Sequence, residues 1–533
     1  MDIDDIPFKQ TGYFSKLICD YLEEKKDLRA FYNRFPTLKN FKAQIIEKQA
    51  HFPQKHRTQL SQALQAQYKE VTTSKSTERN ITRLKEAKTF TVVTGHQLNL
   101  FTGPLYFLYK IVSTINLTKE LKKAYPDYDF VPVYWMATED HDFEEINFFN
   151  FKGKKLQWTK EASGAVGHLP TDGLDLVYEA FCQELGSGKH ATDLKQLFSD
   201  AYLKHDRLTD ATRYLANVLF GAYGLVIVDG DHVGLKKLMI PYVKKDLLEN
   251  TSFKAVTQTM DRLEALPESY KVQVNPREIN YFYLNQGLRE RIVEQEGKFL
   301  VNGTSIQFNR EELLAELETH PERFSPNVVS RPLYQEVILP NLCYIGGGGE
   351  LAYWLELKTS FEAMKVPFPV LLLRNSALVI TQKQQKKIEK LELRVTDLFL
   401  KQSSFINKRI REISNVNIDF TPQRNHLKEQ FQALFQLADQ TDKSFYGAVK
   451  AQEVKQLKGL DRLEKRLLQA QKRKLKDQVV RMTEMQNTLF PNQSLQERNL
   501  NFSELYLEMG EELIPFLLKV LVPLQMDFLI LKY

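Results

Sequence analysis

Three runs of this sequence gather the residue types that can do chemistry. The first is Thr94-Gly95-His96-Gln97 with Asn99, closing at Thr102-Gly103-Pro104. A polar, glycine-bearing turn that opens onto a helix offers backbone amides to phosphate or carboxylate. A histidine there can donate to the negative charge that develops during nucleotidyl or acyl transfer, or serve simply as a hydrogen-bonded loop residue. The second run is Glu139-Asp140-His141-Asp142, with Glu144 and Glu145 close behind. Carboxylates beside a histidine can bind a divalent metal, accept a proton from an amine or hold an amino group. No spacing here identifies a metal, so amine or hydroxyl binding is preferred to a dedicated metal site, with a solvated acidic loop as the alternative. The third run is Gly346, Gly347, Gly348 and Gly349 with Glu350, set between Cys343-Tyr344-Ile345 and the helical sequence LAYWLELKTSFEAM. Glycines let a backbone approach a ligand at a helix start, although this run is neither a Walker loop nor a dinucleotide fingerprint. Just upstream lie Ser325-Pro326-Asn327 and Arg331, whose guanidinium suits bidentate recognition of a carboxylate or phosphate.

The elements that must position these runs follow an α/β pattern. Lys88 to Val93 reads KTFTVV, a β-branched and aromatic run that meets Gly95, with a helical pattern from about Pro104. A second strand, FVPVYWMA at 130 to 137, ends at the acidic run. Together they predict a βαβ unit with both polar loops at strand ends, where ligands bind in open parallel sheets. Further strand signals are GLVIVDG at 224 to 230, the segment from Val274 to Leu284, and PVLLLRNSALVI at 369 to 380. The expected layout is a first part of the core over 1–150, a connecting insert with further α/β elements over 151–330, and a second part of the core with the glycine loop over 331–380.

From 381 the texture is helical. Apolar residues recur at spacings of three and four through Ile388, Leu391, Val395 and Leu398, then Ile406, Ile410 and Ile413. A break at Asp419 to Pro422 precedes a second run through Leu460, Leu463, Leu467 and Ala470. Two long helices in an antiparallel coiled coil are predicted over 381–490, with 491–533 packing on the core. Seams this wide predict a homodimer. Between Lys450 and Lys476, ten Lys or Arg face three Asp or Glu, which could hold an anionic partner but fits a solvated coiled-coil face better.

With 533 residues, 43% hydrophobic and 26% charged, the chain has ordinary globular composition and room for several structural units. A net charge of +6 is too dilute to predict nucleic-acid binding. The N-terminus lacks the basic start and apolar run of a signal peptide, and Lys519, Gln525 and Asp527 interrupt the apolar C-terminal stretch, so no membrane span is expected. Cys19, Cys182 and Cys343 show no paired spacing; they fit small buried side chains in a reducing cytoplasm.

The sequence also resembles a known family, the cysteine ligase of bacillithiol biosynthesis called BshC. The similarity runs along nearly the whole chain and is strongest at TGHQLNLFTGPLY (94 to 106), PVYWMATEDHDFEEIN (132 to 147) and QVNPREIN (273 to 280). It continues at FSPNVVSRPLYQEVILPNLCYIGGGGELAYW (324 to 354) and LQERNLNF (495 to 502). The resemblance implies a Rossmann-like core with inserted connecting segments, a coiled coil that pairs two copies, and addition of L-cysteine to glucosaminyl-malate. Joining a carboxyl to an amine is uphill in water, so the carboxyl must be activated as an adenylate or acyl phosphate. ATP is the expected cosubstrate, and no tightly bound metal is expected. On this expectation Thr94, Gly95 and His96 face phosphate, with Gln97 and Asn99 in the same turn. Asp140, His141 and Asp142 bind the amine and take its proton. Asn327, Arg331, Gly346 to Gly349 and Glu350 surround a carboxylate or the nucleotide. The alternatives are a related ligase for another amine and a non-catalytic nucleotide-binding scaffold.

Overall fold

The structure, a computed structural model, describes residues 3–533. Five strands, buried along nearly their whole length, build the core sheet: β1 (Thr89–His96), β2 (Asp129–Met136), β3 (Val226–Asp229), β4 (Asn341–Gly346) and β5 (Val370–Leu373). All neighbours run parallel, in the order β5-β4-β1-β2-β3. Near-continuous apolar runs such as TFTVV and VLLL are what a parallel sheet covered on both faces requires. Helix α1 (Tyr106–Ala124) crosses from β1 to β2 and is buried nearly all round, as a helix inside a core must be. The strand order reverses between β1 and β4, which makes the core a Rossmann-like, doubly wound sheet.

The connection from β3 to β4 is long. It carries helices Ile240–Glu249 and Thr251–Glu264 and an antiparallel sheet that includes Tyr281–Asn285, Leu288–Gln295 and Phe324–Pro326. The last of these leads into helix α2 (Arg331–Ile338), then β4 and helix α3 (Gly348–Leu355). Strand β4 lies inside the core sheet between β5 and β1, yet its run NLCYI, squeezed between Pro340 and the glycines, gives no strand expectation in the sequence. The single strand expected over 369 to 380 is two, β5 and Ala377–Ile380, which belong to different sheets. Arg374, Asn375 and Ser376 interrupt it because their buried polar side chains need partners off the sheet.

The chain divides into two compact units, Ile3–Leu378 with Gln496–Leu531, and Val379–Leu495 with Lys532–Tyr533. In the second unit, α4 (Thr421–Ala438) and α5 (Lys443–Lys474) form an antiparallel coiled coil, and neither precedes the break at Asp419 to Pro422, whereas one helix on each side of it was expected. Arg424 of α4 bonds Asp461 of α5 at 2.8 Å, and the Phe435 and Tyr446 rings meet near the turn. The break at Asp419 to Pro422 stands as expected, with Pro422 in the first turn of α4. The continuous helix expected before it does not form. Its residues are split among helix Gln382–Lys390, a 3-10 turn at Val395–Phe399 and helix Gln402–Ile413, with Glu392 in a left-handed conformation at the first break. Among the described residues no helix is long and apolar enough to cross a membrane. Cys19 and Cys343 are buried and Cys182 is half-buried.

Candidate active site

At the reversal point the carboxyl ends of β1 and β4 lie side by side, and a cleft of about 700 Å³ opens there. This is the crevice in which doubly wound sheets bind ligands. Loops after β1, β2 and β4 line it, and the antiparallel sheet of the insert adds Tyr281, Phe282 and Arg289.

One end of the cleft is built on a buried charge network. Lys110 of α1, 3% exposed, donates to the Gly95 carbonyl at 2.7 Å and pairs with Glu350 at 2.5 Å. Glu350 also accepts from the Tyr344 hydroxyl at 2.7 Å and from the Gly347 N–H at 2.8 Å. Burial pushes the Glu350 carboxyl up, but Lys110 and these donors outweigh it and hold the group below the usual range. The N-terminus of α3 is therefore capped by the protein's own carboxylate. Of the amides expected to face phosphate, that of Gly347 is thereby taken up by Glu350. None of Gly346 to Gly349 has a left-handed backbone. Gly346 is paired with Leu373 in the sheet and does not line the cleft, whereas Gly347, Gly348 and Gly349 do. Arg331, at the start of α2, donates from one guanidinium nitrogen to Gln335 at 3.1 Å, while its Nη2 is buried with no hydrogen-bond partner. A buried charged donor without an acceptor is costly, so this end of the cleft calls for an anion.

His96 closes β1 and packs on the rings of Tyr106 and Phe107 at 5.5 and 5.0 Å. Burial, aided by the charge of Lys110, pulls its pKa down to about 3. The imidazole is thus neutral near pH 7. It can donate a hydrogen bond to developing charge but cannot oppose that charge as a cation. Two residues of the same run lie outside the cleft. The Thr94 hydroxyl donates to the Ile345 carbonyl at 2.7 Å, tying β1 to β4. Asn99 donates to the Glu145 carbonyl at 3.2 Å and lines a separate small cavity. Asn327 does line the cleft, but its oxygen accepts from the Val329 and Ser330 N–H groups and its amide donates to Asn280, so its polar atoms shape the loop.

The acidic run forms another part of the lining. Gln97 bridges the two loops, donating to Asp140 and Glu145 at 3.0 Å each. Burial raises the Asp140 carboxyl, but hydrogen bonds from His141 and Gln97 and the charge of Arg289 outweigh it and hold the pKa at about 2. Asp140 is a fixed anion, suited to an ammonium and poorly matched to taking a proton. Asp142 is raised by burial and by the Asp140 charge, which matches it better to proton acceptance. Arg289 donates to Nδ1 of His141 at 2.5 Å, so that nitrogen acts as an acceptor. One ligand atom each from Asp140, His141 and Asp142 lies within 4.8 Å of the others. Glu139 takes a different place, buried in an ion pair with Lys236.

The N-terminal Rossmann-like domain of the bacillithiol biosynthesis family BshC matches residues 1–375, and the family's C-terminal coiled-coil domain matches residues 377–533. The chain belongs to the BshC family. A Flavobacterium johnsoniae protein named "Putative cysteine ligase BshC" is 59% identical over 528 residues, 99% of each chain. A Christiangramia forsetii protein of the same name is 59% identical over 532 residues, covering 99% of this chain and 98% of its own. A Bacillus cereus protein of that name is 28% identical over 523 residues, 94% of each chain.

In this BshC chain the cleft also takes in Lys110, Arg289, Arg374 and Arg498, none of them an expected site residue. They come from four distant segments. Only Lys110 carries a local signal, as a lone charge inside the apolar run YFLYKIVSTINL.

Proposed function

We propose that this chain forms the amide bond between the carboxyl group of L-cysteine and the amino group of glucosaminyl-malate, with ATP as the cosubstrate that activates the carboxyl. Membership of the BshC family supports the class of reaction. The observation that carries the reading at the site is the cleft's division into two charge environments: Arg331 with its unpartnered Nη2 at one end, and Asp140 with Asp142 in the acidic loop. The first suits carboxylate or phosphate oxygens, the second an amine. Activation makes the bond from the carboxyl oxygen to phosphorus and releases ADP or pyrophosphate. The amine nitrogen then attacks the carbonyl carbon, the new C–N bond forms, and phosphate or AMP leaves. In this reading Asp140 holds the ammonium, Asp142 takes its proton, and the neutral His96 donates to the carbonyl oxygen as charge develops on it.

The same reading has two copies pairing through the coiled coil. Support comes from Leu434 and Leu437 on α4 and from Phe445, Val454 and Leu463 on α5, all exposed apolar side chains. Action in the cytoplasm is supported by three unpaired cysteines. Purified protein incubated with ATP, L-cysteine and glucosaminyl-malate should yield the amide product by mass spectrometry, and only when ATP is present. A folded protein that gives no such product would end this reading.

A further inference from the structure

The run LQERNLNF matches the family's coiled-coil domain, yet from Gln496 onward it belongs to the compact unit of the core. Its backbone is pinned on both sides of Arg498. On one side Glu497, 0% exposed, accepts from Arg374 at 2.7 Å, from the Ser376 hydroxyl at 3.1 Å and from the Ala377 N–H at 3.1 Å. On the other side the buried amide of Asn501 donates to the carbonyls of Phe101 and Gly103 at 2.8 and 2.7 Å, and Leu105 donates its N–H to the Leu500 carbonyl. Phe101, Thr102 and Gly103 are three consecutive residues at positive φ, a backbone that needs such outside support. This strained turn joins the His96 loop to α1, which carries Tyr106 and Lys110 into the cleft.

Arg498 stands between these two anchors, exposed and lining the cleft. The charges around it are already matched: Lys110 with Glu350, and Arg374 with Glu497. Arg498 makes no hydrogen bond or ion pair among the described residues. A guanidinium held on a fixed backbone, with its charge unmet, is suited to bind oxyanions. We propose that Arg498 is a ligand-binding residue of the cleft that holds an oxyanion, either a carboxylate of the malyl group or a phosphate of the nucleotide, and that Glu497 and Asn501 are its positioning residues. The inference rests on the ligase reading for the identity of its two ligands.

Calorimetric titration of the full chain with glucosaminyl-malate and, separately, with ATP tests it. In R498Q, affinity for one of the two should fall tenfold or more, and R498K should recover part of the loss. The ligand affected identifies the source of the oxyanion. E497Q should weaken that same ligand and spare the other, because it releases Arg498; a purely structural role would weaken both together. R498Q lies on the surface and leaves the core contacts intact, so it decides the matter even if E497Q does not fold. Unchanged affinity for both ligands in R498Q overturns the assignment and leaves the ligase reading standing. Wild-type protein that binds neither ligand overturns both.

Discussion

Asp140 and Asp142 are two residues apart, yet their surroundings drive their carboxyl groups in opposite directions. Asp140, held at about 2 despite its burial, stays ionised through any practical assay, while Asp142 is raised by burial and by the neighbouring charge. Asp140→Asn should therefore lower kcat/KM for the amine by about 100-fold or more, the usual scale for a lost acid-base or charge-orienting group, with the thermal midpoint little changed. If Asp142 is the proton acceptor, activity falls at acid pH as that carboxyl protonates, and Asp142→Asn removes this limb of the pH profile. Steady-state kinetics across pH checks both. His96 leads to a prediction about stability. Its pKa is about 3 in the folded chain, against an ordinary value of 6.5. Between those values the unfolded chain binds a proton that the folded chain refuses, so the contribution is fully present above 6.5 and is lost as pH falls toward 3. Urea unfolding should show midpoints that decline over this window, with a shallower decline in His96→Asn.

At the scale of elements, α2 carries Arg331 into the cleft and is fastened from behind. Lys48, on helix Leu38–His51, pairs with Glu336 of α2 at 2.9 Å, and the two side chains are 1% and 0% exposed. Glu336 also accepts from Asn341, the first residue of β4, at 2.6 Å. Removing the lysine leaves a buried carboxylate with its charge uncompensated, a change that costs about 3–5 kcal/mol. Lys48→Met should lose stability on that scale in denaturant unfolding. A loss below about 1 kcal/mol would mean that the pair does not anchor α2. Elements also explain why the glycine run differs from its expected role. Glu350 lies three residues after Gly347, the spacing at which a helix caps itself, so the sequence already contained the carboxylate that occupies the helix end.

For the whole molecule, the testable statement is assembly. Exposed leucines along α4 and α5 should be covered by a second copy, so sedimentation equilibrium at micromolar concentration should give a dimer. Leu437→Asp and Leu463→Asp should give monomers with unchanged helix content; a monomeric wild type removes the proposal. Local pattern was enough for the strands β1 and β2 with the helix between them, because their apolar periods are long and local. It also determined the break before Pro422 and the acidic run at the end of β2, but Thr94 to His96, expected in a turn, close β1 instead. The fold decided what no local pattern carries. Strand β4 owes its central place to neighbours on both sides, since its own run is short. The expected helix over 388 to 413 is broken although its apolar spacing is regular, because spacing gives a face but does not forbid a turn such as the one at Glu392. The cleft's cations were invisible for a related reason: Lys110, Arg289, Arg374 and Arg498 are far apart in sequence, and their charges acquire a shared role only when the fold brings the segments to one cleft.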